Sequence, residues 1–328
     1  IFLTTMLMGT LITASSNSWI GMWLGLEINL LSIIPLMSNV KSKMESEAAM
    51  KYFITQALAS TIMLLSVLLM LSAENNLSTK MIKTMILDSA ILTKIGAAPF
   101  HFWFPEVLEG LTWMNSMIML TWQKIAPMVI LSYSNKSIMF MTSIIIMSMT
   151  ISGIMGMNQT SLRKILAYSS INHIGWMLGA MLSNQTLWII YLTIYSLMNI
   201  CITMMLAKLN IFHMKQMINS MAKNKKLKIM FSMNFLSLGG IPPLVGFFPK
   251  WITINSMIEM KMFLLTLIMI LSTLITLFFY TRITITAMIM KTNETQLHNT
   301  NTNKTMILTS NFIMLWSLSI CMLTFNFI

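Results

Sequence analysis

Apolar runs of about 20 residues, the length that crosses a bilayer as a helix, recur along the whole chain. Few folds accept such a pattern. Charged residues make up 9% of the sequence and apolar ones 56%, whereas a soluble domain carries roughly 25% charged residues. So few polar groups cannot cover a water-soluble surface of this length. The chain reads as an all-α polytopic membrane protein with almost no soluble part.

About eleven spanning helices are expected, near residues 1–17, 18–38, 48–72, 81–104, 112–133, 137–158, 162–183, 186–209, 227–251, 262–290 and 305–328. The longer connections, 210–226 and 291–304, are polar and too short to be domains. The expected organisation is therefore one transmembrane domain over 1–328. No signal-peptide pattern with a cleavage site opens the chain. Its first residue, Ile1, suggests an unusual start codon or a trimmed chain. Thirty-nine methionines fit irregular core gaps, or a genetic code that reads an extra codon as Met.

Charge sets the orientation. Alternate loops form two sets. One holds Lys41, Lys43, Lys51, Arg163, Lys164, Lys215, Lys223, Lys225, Lys226, Lys228, Lys291 and Lys304; the other holds Lys80, Lys83, Lys136 and Lys261. The richer set marks the cytoplasm-like side, with the N-terminus on that side and the C-terminus opposite. The same argument accounts for the net charge of +12 and argues against nucleic acid as a partner. Cys201 and Cys321 lie in apolar runs without a CxxC pattern, and the four histidines are isolated from one another. Neither a disulfide framework nor a metal or haem site follows. There is no P-loop and no GxGxxG.

Two segments interrupt their helices in the same manner. PFHFWFP runs from Pro99 to Pro105, and PLVGFFP from Pro243 to Pro249. Each has aromatics before its second proline and glycine upstream, Gly96 in one and Gly239 and Gly240 in the other. They fall in the fourth and ninth expected spans. An offset of five helices has odd parity, so the second copy inserts upside down. Paired Pro/Gly-interrupted spans in corresponding places point to inverted repeats, here about 1–133 and 136–290, followed by a C-terminal helix at about 305–328. GMWLG at Gly21–Gly25 and GWMLG at Gly175–Gly179 repeat the same five-helix offset; as small-xxx-small patterns they also favour close helix packing.

Charges inside the spans are costly and belong in a bundle interior. Glu27, Lys94, Lys124 and Lys250 are the candidates. Each also has a plainer reading: a structural ion-pair partner for Glu27, or a snorkelling chain for the lysines, above all Lys250. Lys124 lies three residues before Pro127, which frees the carbonyl of Gln123 and makes a hydrated pocket plausible there. Lys208 and Arg282 read as interfacial anchors. His101, between two prolines, and His173, in the polar span RKILAYSSINHIGWM, are possible shuttles or hydrogen-bonded packing residues. Burial favours the neutral amine and a nearby carboxylate favours the ammonium. A row of lysines with an acid at one end is therefore a switchable proton relay, and separating Glu27 from Lys94 would release a proton. Glu106 and Glu109 are expected at the surface, against a neighbour or lipid headgroups.

GLEINLLSIIP, TKIGAAPFHFWFPEV, LTWQKIAP, LRKILAYSSINHIGWM and LSLGGIPPLVGFFPKW, in this order over most of the chain, resemble the signature segments of the subunit 2 family of NADH:ubiquinone oxidoreductase, respiratory complex I. The resemblance implies an antiporter-like fold in the animal form, which lacks three N-terminal helices of the bacterial one. It implies Glu27 paired with Lys94, Lys124 as the central lysine, and Lys250 on the second broken helix. It implies proton translocation coupled to quinone reduction elsewhere. NADH, FMN, iron–sulfur clusters and ubiquinone would belong to other subunits, with no cofactor on this chain. The implied setting is the mitochondrial inner membrane, N-terminus on the matrix side. The implied neighbours are the 4L-type subunit, the antiporter-like subunit 4, accessory subunits and phospholipids such as cardiolipin. Two other functions remain open: a scaffold of the membrane arm without its own proton path, and a free-standing cation/proton antiporter. The antiporter is disfavoured by a single mid-span Glu and a single Asp, Asp88.

Overall fold

A computed structural model describes residues 1–38, 42–71, 77–134, 137–221, 225–242 and 244–289. The expected connection at 291–304, the helix at 305–328 and Cys321 lie outside the described residues. Among the described residues the protein is helical, with one isolated β-bridge, Ser161–His213.

The helices are α1 (Phe2–Ser15), α2 (Trp19–Met37), α3 (Lys43–Leu71), α4 (Leu77–Ile95), α5 (Trp103–Gly110), α6 (Trp113–Leu120), α7 (Ile125–Tyr133), α8 (Ile138–Met157), α9 (Leu162–Ser183), α10 (Leu187–Leu209), α11 (Met214–Met221), α12 (Lys225–Gly239), α13 (Phe247–Glu259) and α14 (Phe263–Ile289). Five of them, α2, α3, α8, α10 and α14, are long and apolar enough to cross a membrane. Their outward residues are large and apolar, such as Leu58, Leu65, Leu264 and Phe278. Polar side chains such as Gln56, Ser66, Ser148, Asn199 and Thr276 turn inward, the arrangement a lipid solvent favours.

The structure divides several expected spans. Residues 81–104 take in α4 and a break. Residues 112–133 are cut by a 3-10 turn, Trp122–Lys124, because Pro127 has no N–H for the carbonyl one turn back. The span expected at 227–251 stops at Gly239, and α13 carries on to Glu259. The polar connection 210–226 contains the short helix α11. Helix α3 begins at Lys43, so Lys51 lies on a helix rather than in a loop.

The chain forms two compact units, Ile1–Ser148 and Met149–Ile328. In the first, α1 packs on α2, and α3 packs on α2, α4 and α5. The α1–α2 contact is close because both helices offer glycine. A Cβ at Gly25 would crowd the Thr13 backbone, and one at Gly9 would crowd Asn29. In the second unit, α9 is buried almost all round from Leu162 to Met181, against α10, α13 and α14.

Candidate functional site

Each unit contains a helix broken at a glycine, and these two breaks use the same backbone device. Helix α4 ends at Gly96, whose φ is +81°. The Gly96 N–H donates to the carbonyls of Leu92 and Thr93, and the Ala97 N–H to Leu92. Helix α12 ends at Gly240, φ +78°. The Gly240 N–H donates to Leu236 and Ser237, and the Ile241 N–H to Leu236. This is the Schellman closure, which needs a left-handed residue and hence favours glycine. The matching continues past the glycines. Phe100 donates to Ala97 as Leu244 does to Ile241, both at 2.8 Å, and Phe104 donates to His101 as Phe248 does to Val245. Pro105 and Pro249 then stand in the first turns of α5 and α13, where a missing N–H costs no helical bond.

The lysines sit at these irregular places. Lys94, on the last turn of α4, is 7% exposed; Lys124, closing the 3-10 turn, is 2% exposed; Lys250, in the first turn of α13, is 6% exposed. With so little surface, none of the three snorkels to an interface. Lys94 and Lys124 line one cavity of the first unit, together with Asn29, Gln56, Gln123 and Tyr52. Its free space suits roughly one or two water molecules. Three side-chain amides therefore share a pocket with two amines. Gln56 Nε2 donates to the Lys94 carbonyl at 3.4 Å, and Gln123 Nε2 donates to Asn29 Oδ1 at 3.0 Å.

Glu27 stands beside this pocket rather than in it. Leu26, Asn29 and Leu30 form the stripe of α2 that lines the cavity, and Glu27 flanks that stripe, half-buried. It makes no direct ion pair with Lys94 among the described residues. His101 is buried within the first break, its ring 4.6 Å from that of Phe102. Glu106 is exposed and pairs with Lys51 at 3.0 Å, and Lys51 also meets Glu47. Exposed pairs of this kind contribute about 0–1 kcal/mol.

In the second unit, Lys250 Nζ reaches back over the break to the carbonyls of Gly239 (2.8 Å) and Leu238 (3.4 Å). A Cβ at Gly240 would lie 2.9 Å from Lys250 Nζ, so that glycine also makes room for the amine. His173 Nδ1 is 2.8 Å from the Tyr191 hydroxyl, and the His173 ring lies tilted against that of Tyr195, their centroids 4.8 Å apart. Asn172 donates to the Thr276 hydroxyl at 3.1 Å. The polar residues of α9 thus meet protein rather than an open wetted face. Arg282 Nη1 donates to the Met157 carbonyl.

The sequence reading singled out the lysines and missed the amides. Asn29 and Gln56 carry the same signal as the lysines, a polar group well inside an apolar run. Gln123 carries the carbonyl that Pro127 frees. Tyr191 gave no comparable signal, since a tyrosine in a span is unremarkable by type.

Comparisons with known proteins give the family and the fold. Residues 16–276 match the family described as NADH:quinone oxidoreductase/Mrp antiporter, TM. NADH-ubiquinone oxidoreductase chain 2 of Anopheles gambiae is 47% identical over 309 residues, covering 93% of this chain and 90% of the relative. Its counterpart in Aedes aegypti is 47% identical over 332 residues, covering 99% and 97%. Among solved structures, a chain of respiratory complex I from Thermus thermophilus superposes with a TM-score of 0.87 at 21% identity, over 98% of this chain and 77% of that one. The fold is thus that of the antiporter-like membrane subunits, and by sequence the chain belongs to the NADH-ubiquinone oxidoreductase chain 2 family.

Proposed function

We propose that this chain is a membrane-arm subunit of NADH:ubiquinone oxidoreductase that carries protons through a relay of Glu27, Lys94, Lys124 and Lys250, with His101 and His173 as shuttles. The observation that carries this reading is the cavity that Lys94 and Lys124, two buried lysines, line together in a chain of this family. Buried lysines are expensive in a membrane bundle and are kept for function. Each holds or yields one proton, and a cavity of water-molecule size lets a proton pass between them. The field of a carboxylate such as Glu27 on α2 favours the charged form of a lysine near it. Movement of α2 relative to α4 would weaken that field and release the proton toward Lys124. Quinone chemistry in other subunits would drive that movement. This chain needs no redox centre for its part, and NADH, FMN, iron–sulfur clusters and ubiquinone would be held elsewhere.

The same reading assigns a single transmembrane domain of two inverted repeats, about 1–133 and 136–290, with a C-terminal helix. The bond-for-bond likeness of the two breaks supports the repeats. It also places the chain in the mitochondrial inner membrane, N-terminus on the matrix side, beside the 4L-type subunit, antiporter-like subunit 4, accessory subunits and phospholipids such as cardiolipin. The decisive substitution is Lys124→Ala in the assembled complex. Normal amounts of complex with depressed quinone reductase turnover or proton yield are expected. Full turnover and full yield would overturn the relay and leave a scaffold.

A further inference from the structure

We propose that the Asn29–Gln123 hydrogen bond is a positioning clasp that sets proton passage between Lys94 and Lys124. The inference rests on the relay above and names residues outside it.

Lys124 closes a 3-10 turn between α6 and α7. Its main chain lacks a full set of helical bonds, because Pro127 offers none to Gln123. A segment like this needs an anchor from another element if its amine is to keep one position. Gln123 supplies it. Its side-chain N–H donates 3.0 Å to Asn29 Oδ1 of α2, the helix that also carries Glu27. Asn29 is 3% exposed and lines the cavity beside both lysines. The other lysine is anchored in the same chemical manner. Gln56 of α3 donates to the Lys94 carbonyl, in the turn where α4 ends. Each amine thus stands at a helix irregularity fixed by a neutral amide.

The neutrality matters. An amide presents an acceptor and two donors, so it orients water or an amine in either protonation state. It binds no proton itself near neutral pH, so it does not hold back the proton being passed. A carboxylate at position 29 would keep the acceptor for Gln123 but would pin a positive charge in the pocket. Placing the clasp on α2, next to Glu27, also ties the Lys124 turn to the helix whose charge governs Lys94. Movement of α2 then reaches both amines at once.

The test uses the assembled complex in proteoliposomes and reads turnover and protons moved per NADH oxidised, normalised to assembled complex. Asn29→Leu and Gln123→Met are each expected to lower turnover or yield by roughly two- to tenfold, the range of one lost hydrogen bond. The double substitution should cost no more than the larger single one, because both break one bond. Asn29→Asp keeps the bond and separates positioning from mere packing. It is expected to slow turnover at neutral pH and to recover as pH rises, moving the turnover–pH profile to higher pH. If Asn29→Leu and Gln123→Met lower the amount of complex but leave turnover and yield per complex unchanged, the clasp is only structural and the proposal falls. It falls equally if Asn29→Asp has the unaltered pH profile. Should Asn29→Leu fail to assemble, Gln123→Met and Asn29→Asp still decide the matter. Lys124→Ala, run alongside, keeps the two readings apart. Lost pumping there with normal Gln123→Met and Asn29→Asp overturns the clasp alone, and normal pumping there overturns the relay beneath it.

Discussion

The two helix breaks share a backbone and differ in where the lysine stands. In the first, Lys94 belongs to the incoming helix and leaves the closure to others. Gln56 takes its carbonyl, and the Trp103 indole N–H takes that of Thr93 at 3.1 Å. In the second, Lys250 belongs to the outgoing helix and closes the break itself, on Leu238 and Gly239. A cation beside the C-terminal carbonyls of a helix is favoured by the helix dipole and by charge-assisted hydrogen bonds. Lys94 is therefore free of structural duty in its break, and Lys250 is not. One backbone motif thus carries one lysine that lines a cavity and one whose amine holds the motif together.

The largest predicted contrast lies at the fourth residue before each lysine-bearing or glutamate-bearing position. Gly246 packs so closely on the Ser237 carbonyl that a Cβ would overlap it. The matching residue in the first break is Phe102, whose side chain is 73% exposed. Gly246→Ala should cost several kcal/mol, on the order of 3 or more, because backbone cannot yield as a side chain does. Phe102→Ala should stay within about 0.5 kcal/mol. Thermal inactivation and yield of the assembled complex measure both, and equal costs would break the comparison.

Next in size is the lysine exchange. Lys250→Met leaves two carbonyls at the end of α12 without their donor, which should cost about 1–3 kcal/mol of stability as well as turnover. Lys94→Met should lower turnover while leaving the inactivation temperature nearly unchanged, since the bonds that close the first break run through Gly96, Ala97, Gln56 and Trp103. A matching loss of thermal stability in both variants would show the two lysines to be structurally equivalent.

The smallest effect sharpens the contrast from the other side. Trp103→Phe removes the bond to the Thr93 carbonyl yet keeps a ring near Tyr52 and Phe104. It should cost about 1 kcal/mol or less, seen as a small drop in inactivation temperature with turnover retained. A loss as large as that of Lys250→Met would mean that the indole, rather than Gln56 and the Schellman bonds, closes the first break.

Much of this was legible in the residues. Helix-length apolar runs announced the helices, and glycine followed by proline announced both breaks, since a left-handed terminus and a missing N–H leave few other residue types. The buried lysines stood out against an apolar background. What stayed hidden depends on the third dimension. Glu27 and Asn29 are two residues apart, and only the rotation of α2 decides which one lines the pocket. Gly239 and Gly240 are indistinguishable by type, yet Gly240 takes the positive φ. The short helix α11 has too many polar residues to read as a span and too few residues to announce itself otherwise.

Lys250 gives the second break a property that the first lacks. Helices α12 and α13 are fastened across their gap by a bond that contains the very proton a relay would move. A protonated amine binds those carbonyls roughly twice as strongly as a neutral one. By thermodynamic reciprocity, any strain that draws the two helix ends apart alters how readily that proton is held. The break is therefore a strain gauge wired to an acid: it converts displacement of helices into proton affinity, and proton occupancy into stiffness, within one side chain.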